Sequence, residues 1–322
     1  MDSTVILSAR FGLLALSFGL AALVTALDQG NRLDWLGSGL IVGLLASALF
    51  FLSIYLIHAL WHPDPVVSPR LLARRNIGFS LFLMFAMRIG LMTSAFLLPQ
   101  YLIRIQGYRA LESGTMFWVS ALPQIVLTPF VAWLAYRMDP RSMAAFGLML
   151  FDAGVLILSN LTHLWTSDQI LPSLFVQSIA APFTAVPLMV LITEDISVRE
   201  IPWIASLVHI VRTVGTAIGL AAVSTFTRIQ EQVHSNLLGL HLERGAADVQ
   251  ARIDQTAAML EIHNSDPATV TAQATAMLAR TVQREAFVLA YSDMFVMIGL
   301  GIALAALVTL FMRRPPLPGK FL

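Results

Sequence analysis

Four titratable side chains lie deep inside apolar stretches of this 322-residue sequence: Arg88, Asp152, His209 and Arg212. An ionised group near the middle of a bilayer costs about 2.5 to 3.5 kcal/mol on insertion scales. Such a residue is therefore expected to face the interior of a helix bundle and to have a partner or a task. The tasks open to these side chains are ion pairing, contact with a polar substrate, and proton transfer.

Arg212 has the most informative local context. His209 precedes it by one turn, and Gly215 and Gly219 follow at a spacing of four residues. Two glycines at this spacing let a neighbouring helix approach closely. We interpret Arg212 as a substrate or coupling candidate, with a structural ion pair or a contact to backbone carbonyls as the alternative.

Arg88 lies about ten residues before Pro99 and Gln100 in another apolar stretch. It is a second candidate for contact with substrate or for coupling, together with Gln100, and the alternative is an internal pair with Asp152. Asp152 itself is a candidate proton carrier or one partner of an interhelical hydrogen bond.

The elements that must position these residues are membrane helices. A spanning helix needs roughly 20 apolar residues, and about eight stretches qualify, at 11–27, 37–60, 77–103, 115–136, 142–161, 169–193, 202–226 and 287–312. Hydrophobic residues make up 57% of the chain and charged residues only 12%, with a mean hydropathy of +0.76. The sequence predicts an all-α polytopic membrane protein with about eight transmembrane helices.

Composition also excludes several classes of protein. The chain has no cysteine, which excludes disulfides, thiolate catalysis and iron–sulfur clusters. It has no basic cluster of the kind that binds nucleic acid. It also lacks the common motifs of hydrolases, zinc proteases and phosphate-binding loops, so we expect no enzyme, metal or cofactor.

Orientation follows from the basic residues in the short loops, because such loops stay cytoplasmic. With the N-terminus inside, ten Arg and Lys residues fall in short inside segments and three in short outside loops. We therefore predict both termini in the cytoplasm. The longest loop, about 228–286, then lies outside.

This long loop has helical character. Ser265, Asp266 and Pro267 predict a helix start, and we expect that helix to continue into the last span. The loop histidines His234, His241 and His263 are too widely spaced for a metal site, so we interpret them as solvated. Asp293, near the end of the last span, is interpreted as solvated too.

Prolines form a further pattern. Pro99 is expected to interrupt one span, and Pro182 and Pro187 another span three further along the chain. Prolines in corresponding helices of two three-helix units indicate a substrate site between those units, although helix kinks also explain them.

An ordered series of short motifs runs along the chain. Between the first two spans stand Leu27-Asp28-Gln29-Gly30 and Leu33-Asp34-Trp35, and the third span ends in Leu97-Leu98-Pro99-Gln100-Tyr101 with Gln106-Gly107-Tyr108. The series continues with Tyr136-Arg137-Met-Asp139-Pro-Arg141 in a basic loop, Pro187-Leu188 in the sixth span, and Arg212-Thr213 with Gly215 and Gly219 in the seventh. In this order and spacing the chain resembles the fourteen-span drug:proton antiporters of the major facilitator superfamily, of the EmrB/QacA type.

The resemblance implies a fold of two parts: a two-span hairpin at 1–65, followed at 66–322 by the second six-helix bundle of such an antiporter. It implies Pro99, Pro187, Gly215 and Gly219 as packing or motif residues, and Arg137, Asp139 and Arg141 as a cytoplasmic loop motif. His209 departs from the resemblance, since Asn is more usual there. A histidine titrates near neutral pH, so this side chain could tune coupling or simply replace the hydrogen bonds of Asn.

The activity implied is export of hydrophobic or cationic compounds across a bacterial inner membrane by alternating access, driven by the proton gradient. The resemblance covers none of the first six-helix half of the family, and we expect the chain to be inactive without that half. A periplasmic adaptor and an outer-membrane channel are possible partners of the family type. The alternative is a regulatory or decayed half-transporter that acts only as a subunit, and the least supported class is an intramembrane enzyme.

Overall fold

The computed structural model describes residues 3–62, 65, 67–194, 196–244, 246–261 and 267–313. Within these ranges the chain forms nine α-helices: α1 Ser3–Gly30, α2 Gly39–Trp61, α3 Arg75–Arg104, α4 Ala110–Ala135, α5 Pro140–Ile157, α6 Ser167–Thr193, α7 Ile201–Arg244, α8 Ala246–Glu261 and α9 Pro267–Leu307. All except α8 contain a segment long and apolar enough to span a membrane. The prediction of an all-α polytopic membrane protein with eight such helices is confirmed.

The first two helices form a hairpin that packs on α3 and α7. A short polar turn after Gly30 reverses the chain, and the Trp35 indole nitrogen donates a hydrogen bond of 3.1 Å to the Thr225 hydroxyl on α7. At the opposite end of the hairpin, a buried cluster that includes Leu16, Tyr55 and Leu207 joins α1 and α2 to α7. We call the end of the molecule at which α1 ends the outer end, following the predicted orientation, and the opposite end the inner end.

The remaining spanning helices pack around one large apolar core. Phe151 of α5 and Phe295 of α9 are fully buried in it, and Tyr101 and Tyr291 meet edge to face with ring centroids 6.5 Å apart. Burial of such large aromatic side chains dominates the packing energy of a core. This core holds α3, α5, α6 and α9 in fixed positions, and α4 and α7 pack around it.

Helices α5 and α6 are in unusually close contact at a glycine. A Cβ atom placed on Gly147 would lie 2.5 Å from the Thr184 hydroxyl oxygen and 2.6 Å from the backbone of Phe183. Two turns further along α5, the Ser173 hydroxyl of α6 donates a 2.6 Å hydrogen bond to the carbonyl of Gly154. Small residues let membrane helices approach closely and gain dispersion contacts.

Helices α7 and α9 are much longer than a bilayer is thick. With 44 residues, α7 extends about 66 Å, against a hydrocarbon thickness of about 30 Å. Their outer ends and α8 therefore project beyond the span. As expected, a helix begins at Pro267 and continues into the last span, while Ser265 and Asp266 lie outside the described residues.

Contacts in the projecting ends of α7 and α9 correct the interpretation of His234 and Asp293 as solvated. His234 is not a simple solvated loop residue, because its Nε2 lies 2.7 Å from Oδ2 of Asp293, which also accepts a 3.2 Å hydrogen bond from Gln230. The interpretation of Asp293 as merely solvated is wrong for the same reason. Continuous α7 and α9 bring these residues together although they lie some sixty positions apart in sequence. The side chain of His241 and all of His263 fall outside the described part.

At the inner end, the basic loop motif contacts α4, α5 and the segment after α9. Asp139 caps α5 by accepting from the backbone N–H of Arg141 at 3.0 Å, and the Arg141 guanidinium pairs with Asp139 at 2.9 Å. Arg141 also donates to the carbonyl of Met312 at 2.7 Å. Arg137 stacks on the Trp133 ring at 4.1 Å. This motif therefore holds the α4–α5 turn against the segment after α9.

The α5–α6 contact gives a stability test. Gly147→Ala should destabilise the folded chain by about 1 to 3 kcal/mol, because its Cβ meets backbone atoms that cannot move aside. The matched control is Gly301→Ala in α9, where a Cβ has open space. Thermal unfolding in detergent, followed by loss of monomer on size exclusion, measures both. Equal midpoints for the two variants would contradict the close packing described here.

Candidate functional site

Two glycines of α7 determine how closely this helix approaches Arg88 on α3. A Cβ atom on Gly215 would lie 3.1 Å from the Phe85 ring and 3.4 Å from the Cβ of Arg88, and one on Gly219 would lie 3.2 Å from the Cα of Ile89. Helix α7 therefore approaches α3 with almost no side-chain layer between them. Larger residues at these two positions would push the arginine-bearing segments apart.

A short hydrogen-bond chain fixes Arg88 in this contact. Its Nε donates to the Thr216 hydroxyl at 2.9 Å, and that hydroxyl donates to the backbone carbonyl of Arg212 at 2.8 Å. Arg88 and Arg212 are thus neighbours across the α3–α7 interface. The terminal guanidinium nitrogens of Arg88 make no hydrogen bond within the described residues.

A cavity of about 580 Å³ opens beside this pair, between α1, α3 and α7. Pockets for small organic ligands usually have volumes of about 300 to 1,000 Å³. The titratable residues of its lining come from three helices: Asp28, Arg88, His209 and Arg212. Threonine hydroxyls, Val24, Ala217 and Leu220 complete the wall. The sequence candidates Arg88, His209 and Arg212 are thereby brought to one place.

The two arginines lie near the middle of the membrane. Arg88 is thirteen residues after the start of α3 and Arg212 eleven after the start of α7, which corresponds to about 20 and 17 Å of helix rise. The hydrocarbon region is about 30 Å thick. Both charges therefore lie at a depth where neighbouring lipid offers no counter-charge.

Neither arginine is neutralised within the part of the chain that the structure describes. No carboxylate among the described residues lies within 4 Å of the Arg88 or Arg212 guanidinium. Asp28 is in the same cavity, but it accepts a 2.5 Å hydrogen bond from Gln29 near the outer end of α1. The inner part of the cavity thus has an excess of positive charge.

A second cavity of about 220 Å³ adjoins the first between α3, α4, α6 and α7. Arg88 and Arg212 line both cavities, and the second is otherwise mainly apolar, with Met84, Met87, Leu91 and Leu188 in its wall. The paired arginines therefore stand between two cavities whose walls are both mainly apolar.

Asp152 and Gln100 lie apart from these cavities. The Oδ1 of Asp152 is buried without a hydrogen-bond partner in the described part of the chain and faces Gly299 of α9. The pair that we considered between Arg88 and Asp152 does not form, because α5 turns this carboxylate away from α3. Gln100 is partly buried near the outer end of α3 and contributes to neither cavity lining.

The expectation that prolines interrupt two spans is wrong. Helix α3 is continuous through Pro99, and α6 is continuous through Pro182 and Pro187. A proline removes one backbone hydrogen bond, and packing against neighbouring helices compensates for the loss inside a membrane protein. Pro187 is buried in the bundle beside Leu188, which lines the second cavity.

Two residues of the site escaped the sequence analysis as site candidates. Asp28 was recognised only as part of a turn motif, since it lies near the end of its span. Thr216 looked like an ordinary helix residue. Its position four residues after Arg212 was a signal, because residues four apart lie on one helix face.

Comparison with known proteins supports a relationship along most of the chain. No protein-family model matches it. The multidrug export protein EmrB of Haemophilus influenzae is 25% identical over 315 residues, which cover 95% of this chain and 59% of that protein. The fatty acid resistance protein FarB of Neisseria gonorrhoeae is 23% identical over 316 residues, covering 95% of this chain and 58% of FarB.

An uncharacterised MFS-type transporter, YhcA of Bacillus subtilis, is 27% identical over 135 residues, or 41% of this chain and 24% of that protein. The chain spans less than two thirds of the length of the EmrB and FarB relatives. With eight membrane-spanning helices and matches along 95% of its length, the chain is a homologue of the EmrB-type multidrug export proteins of the major facilitator superfamily.

Proposed function

We propose that this chain is the substrate-binding and gating part of a proton-coupled multidrug efflux transporter in a bacterial inner membrane. The observation that carries the proposal is the cavity with two arginines at mid-membrane depth that form no ion pair with the described residues. Charged residues at that depth are retained where they line a substrate or ion path. The names of the relatives, multidrug export and fatty acid resistance, support hydrophobic compounds as the cargo.

Transport by this type of protein requires two bodies that move against each other around a central site. Here α3 to α7 and α9 form one six-helix body. The central apolar segment of α4 is only 11% buried, and Trp118, Ile125 and Val126 on it are exposed, which leaves a broad apolar surface for lipid or a second body. We therefore propose that activity requires a second six-helix body, with both termini of this chain in the cytoplasm.

The charge of the cavity bears on the expected substrates. Two arginines would repel a cationic compound, so the expectation of cationic cargo has no support from this site.

His209, Asp28 and Asp152 are the candidate groups for proton coupling, and the energy source that we propose is the proton gradient without any cofactor. A periplasmic adaptor and an outer-membrane channel are further proposed partners, for which the projecting ends of α7 and α9 with α8 offer a surface.

The first test concerns activity of the chain alone. Expressed by itself in an efflux-deficient bacterium, it should leave the accumulation of a fluorescent dye unchanged, because one bundle cannot alternate against itself. Joining it to the part of Haemophilus influenzae EmrB that it does not match should restore efflux, and a protonophore should abolish that efflux. Robust proton-dependent efflux by a monomer of the chain alone would contradict the proposal.

The second test concerns the arginines. In that joined transporter, Arg88→Ala and Arg212→Ala should each lower efflux by about tenfold, because a hydrogen bond from a charged group contributes about 1.5 to 3 kcal/mol. Arg199→Ala, an exposed residue just before α7, is the matched control and should retain full activity. Normal efflux by both cavity variants at equal protein abundance would remove this cavity from the transport path.

A further inference from the structure

The arginine at the inner end of α4 points in an unusual direction. The guanidinium of Arg137 lies over the Trp133 ring, 4.1 Å from its centre, and Trp133 is one helical turn nearer the middle of the membrane. A long cationic side chain at the end of a membrane helix ordinarily extends away from the hydrocarbon toward water. Arg137 folds back instead, so its charge lies at the level of the last turn of α4.

The charge of Arg137 is available to an anion. Its guanidinium forms no ion pair and no hydrogen bond with the described residues. The nearest carboxylate in the sequence, Asp139, pairs with Arg141 at 2.9 Å. Stacking on an aromatic ring uses the face of a guanidinium and leaves the N–H donors at its edge exposed. Arg137 can therefore bind an anion at its edge while it stays stacked on Trp133.

An apolar track continues from this cation along α4. Phe130 stacks on Trp133 with ring centroids 5.9 Å apart, and Val126 lies one turn further into the membrane. All three side chains are exposed. Because Phe130, Trp133 and Arg137 follow one another at spacings of three and four residues, they share one face of the helix. This face presents a cation at one end and an exposed apolar surface behind it.

The depth of this cation matches that of a lipid phosphate. Helix α4 has 26 residues and extends about 39 Å, against a hydrocarbon thickness of about 30 Å. Its last turn therefore lies at the boundary between hydrocarbon and head groups, where Trp and Tyr side chains are enriched, and the exposed Tyr136 lies there too. The fork of donors on an arginine fits the oxygens of a phosphate.

We propose that Arg137, Trp133 and Phe130 form a binding site for an anionic phospholipid, with the phosphate at the edge of Arg137 and an acyl chain along Trp133 and Phe130. The site is separate from the cavities at Arg88 and Arg212 and does not rest on the proposed function. A phosphatidylcholine head group carries its own cation, which Arg137 repels. Phosphatidylglycerol has no such cation, so the site prefers it.

The test uses Trp133 as the reporter. Lipids brominated near the head-group end of one acyl chain quench the fluorescence of a tryptophan that they contact. The full chain is placed in nanodiscs of equal parts phosphatidylglycerol and phosphatidylcholine, with one or the other brominated, and the signal of Trp133 is the difference between the unmodified chain and Trp133→Phe. We expect quenching that corresponds to about a fivefold preference for phosphatidylglycerol.

A second tryptophan of the same helix is the matched control. Trp118 is 66% exposed, compared with 48% for Trp133, and no arginine among the described residues stacks on it. Its signal, obtained in the same way with Trp118→Phe, should show a preference of no more than about twofold, because only the bulk composition of the bilayer acts there.

Three arginine variants assign the preference to the site. Arg137→Gln should abolish the preference at Trp133. Arg137→Lys should keep part of it, since the charge remains and the planar fork is lost. Arg199→Gln removes another exposed arginine of the inner end and should leave the preference unchanged. Circular dichroism and a single size-exclusion peak verify that each variant is folded.

Equal quenching of Trp133 by the two brominated lipids would overturn the proposal. A preference that survives Arg137→Gln, or that disappears with Arg199→Gln, would also overturn it, because the total charge of the inner end would then attract the lipid. If neither lipid quenches Trp133, this face is covered by a second copy of the chain and the lipid site is excluded.

Discussion

The structure depends on one close contact, the approach of α7 to α3 at Gly215 and Gly219. Because neither glycine carries a side chain, the backbone of α7 lies directly against Phe85, Arg88 and Ile89. Close packing of this kind is the main source of helix association in a bilayer, where lipid tails are as apolar as the side chains they replace. The same contact positions two arginines side by side, and no carboxylate among the described residues pairs with either of them.

The rest of the molecule supports that contact. The aromatic core around Phe151 and Phe295 holds α5 and α9 behind α3, and the hairpin closes the other side through the hydrogen bond from Trp35 to Thr225. The hairpin is therefore part of the cavity wall, because α1 supplies Asp28 at its outer end. An open cavity lined by charged groups in this way can expose them to water while the surrounding helices remain in contact with lipid.

The sequence predicted the helices well and their contacts poorly, for a physical reason. Runs of about 20 apolar residues are required by the thickness of the bilayer, so the eight spans could be found without any knowledge of the fold. Contacts between helices depend on helix rotation, which the nearly uniform hydrophobicity of these spans does not encode. Asp152 was therefore matched with Arg88 although its side chain faces Gly299, and the partnership of His234 with Asp293 was missed. The prolines were wrongly expected to interrupt α3 and α6, because neighbouring helices compensate for a lost backbone hydrogen bond.

The central claim is that the cavity between α1, α3 and α7 contains water and an excess of positive charge. The absence of cysteine makes a direct measurement possible, since Thr213→Cys introduces the only thiol. Its rates of reaction with a negatively charged sulfonate and a positively charged trimethylammonium methanethiosulfonate are measured relative to a free thiol. Met149→Cys, at an exposed position of α5 away from the cavity, is the control. The account predicts that the anionic reagent is favoured by about tenfold and that replacing both Arg88 and Arg212 by glutamine removes the preference. A thiol that does not react, or that reacts faster with the cationic reagent, would contradict it.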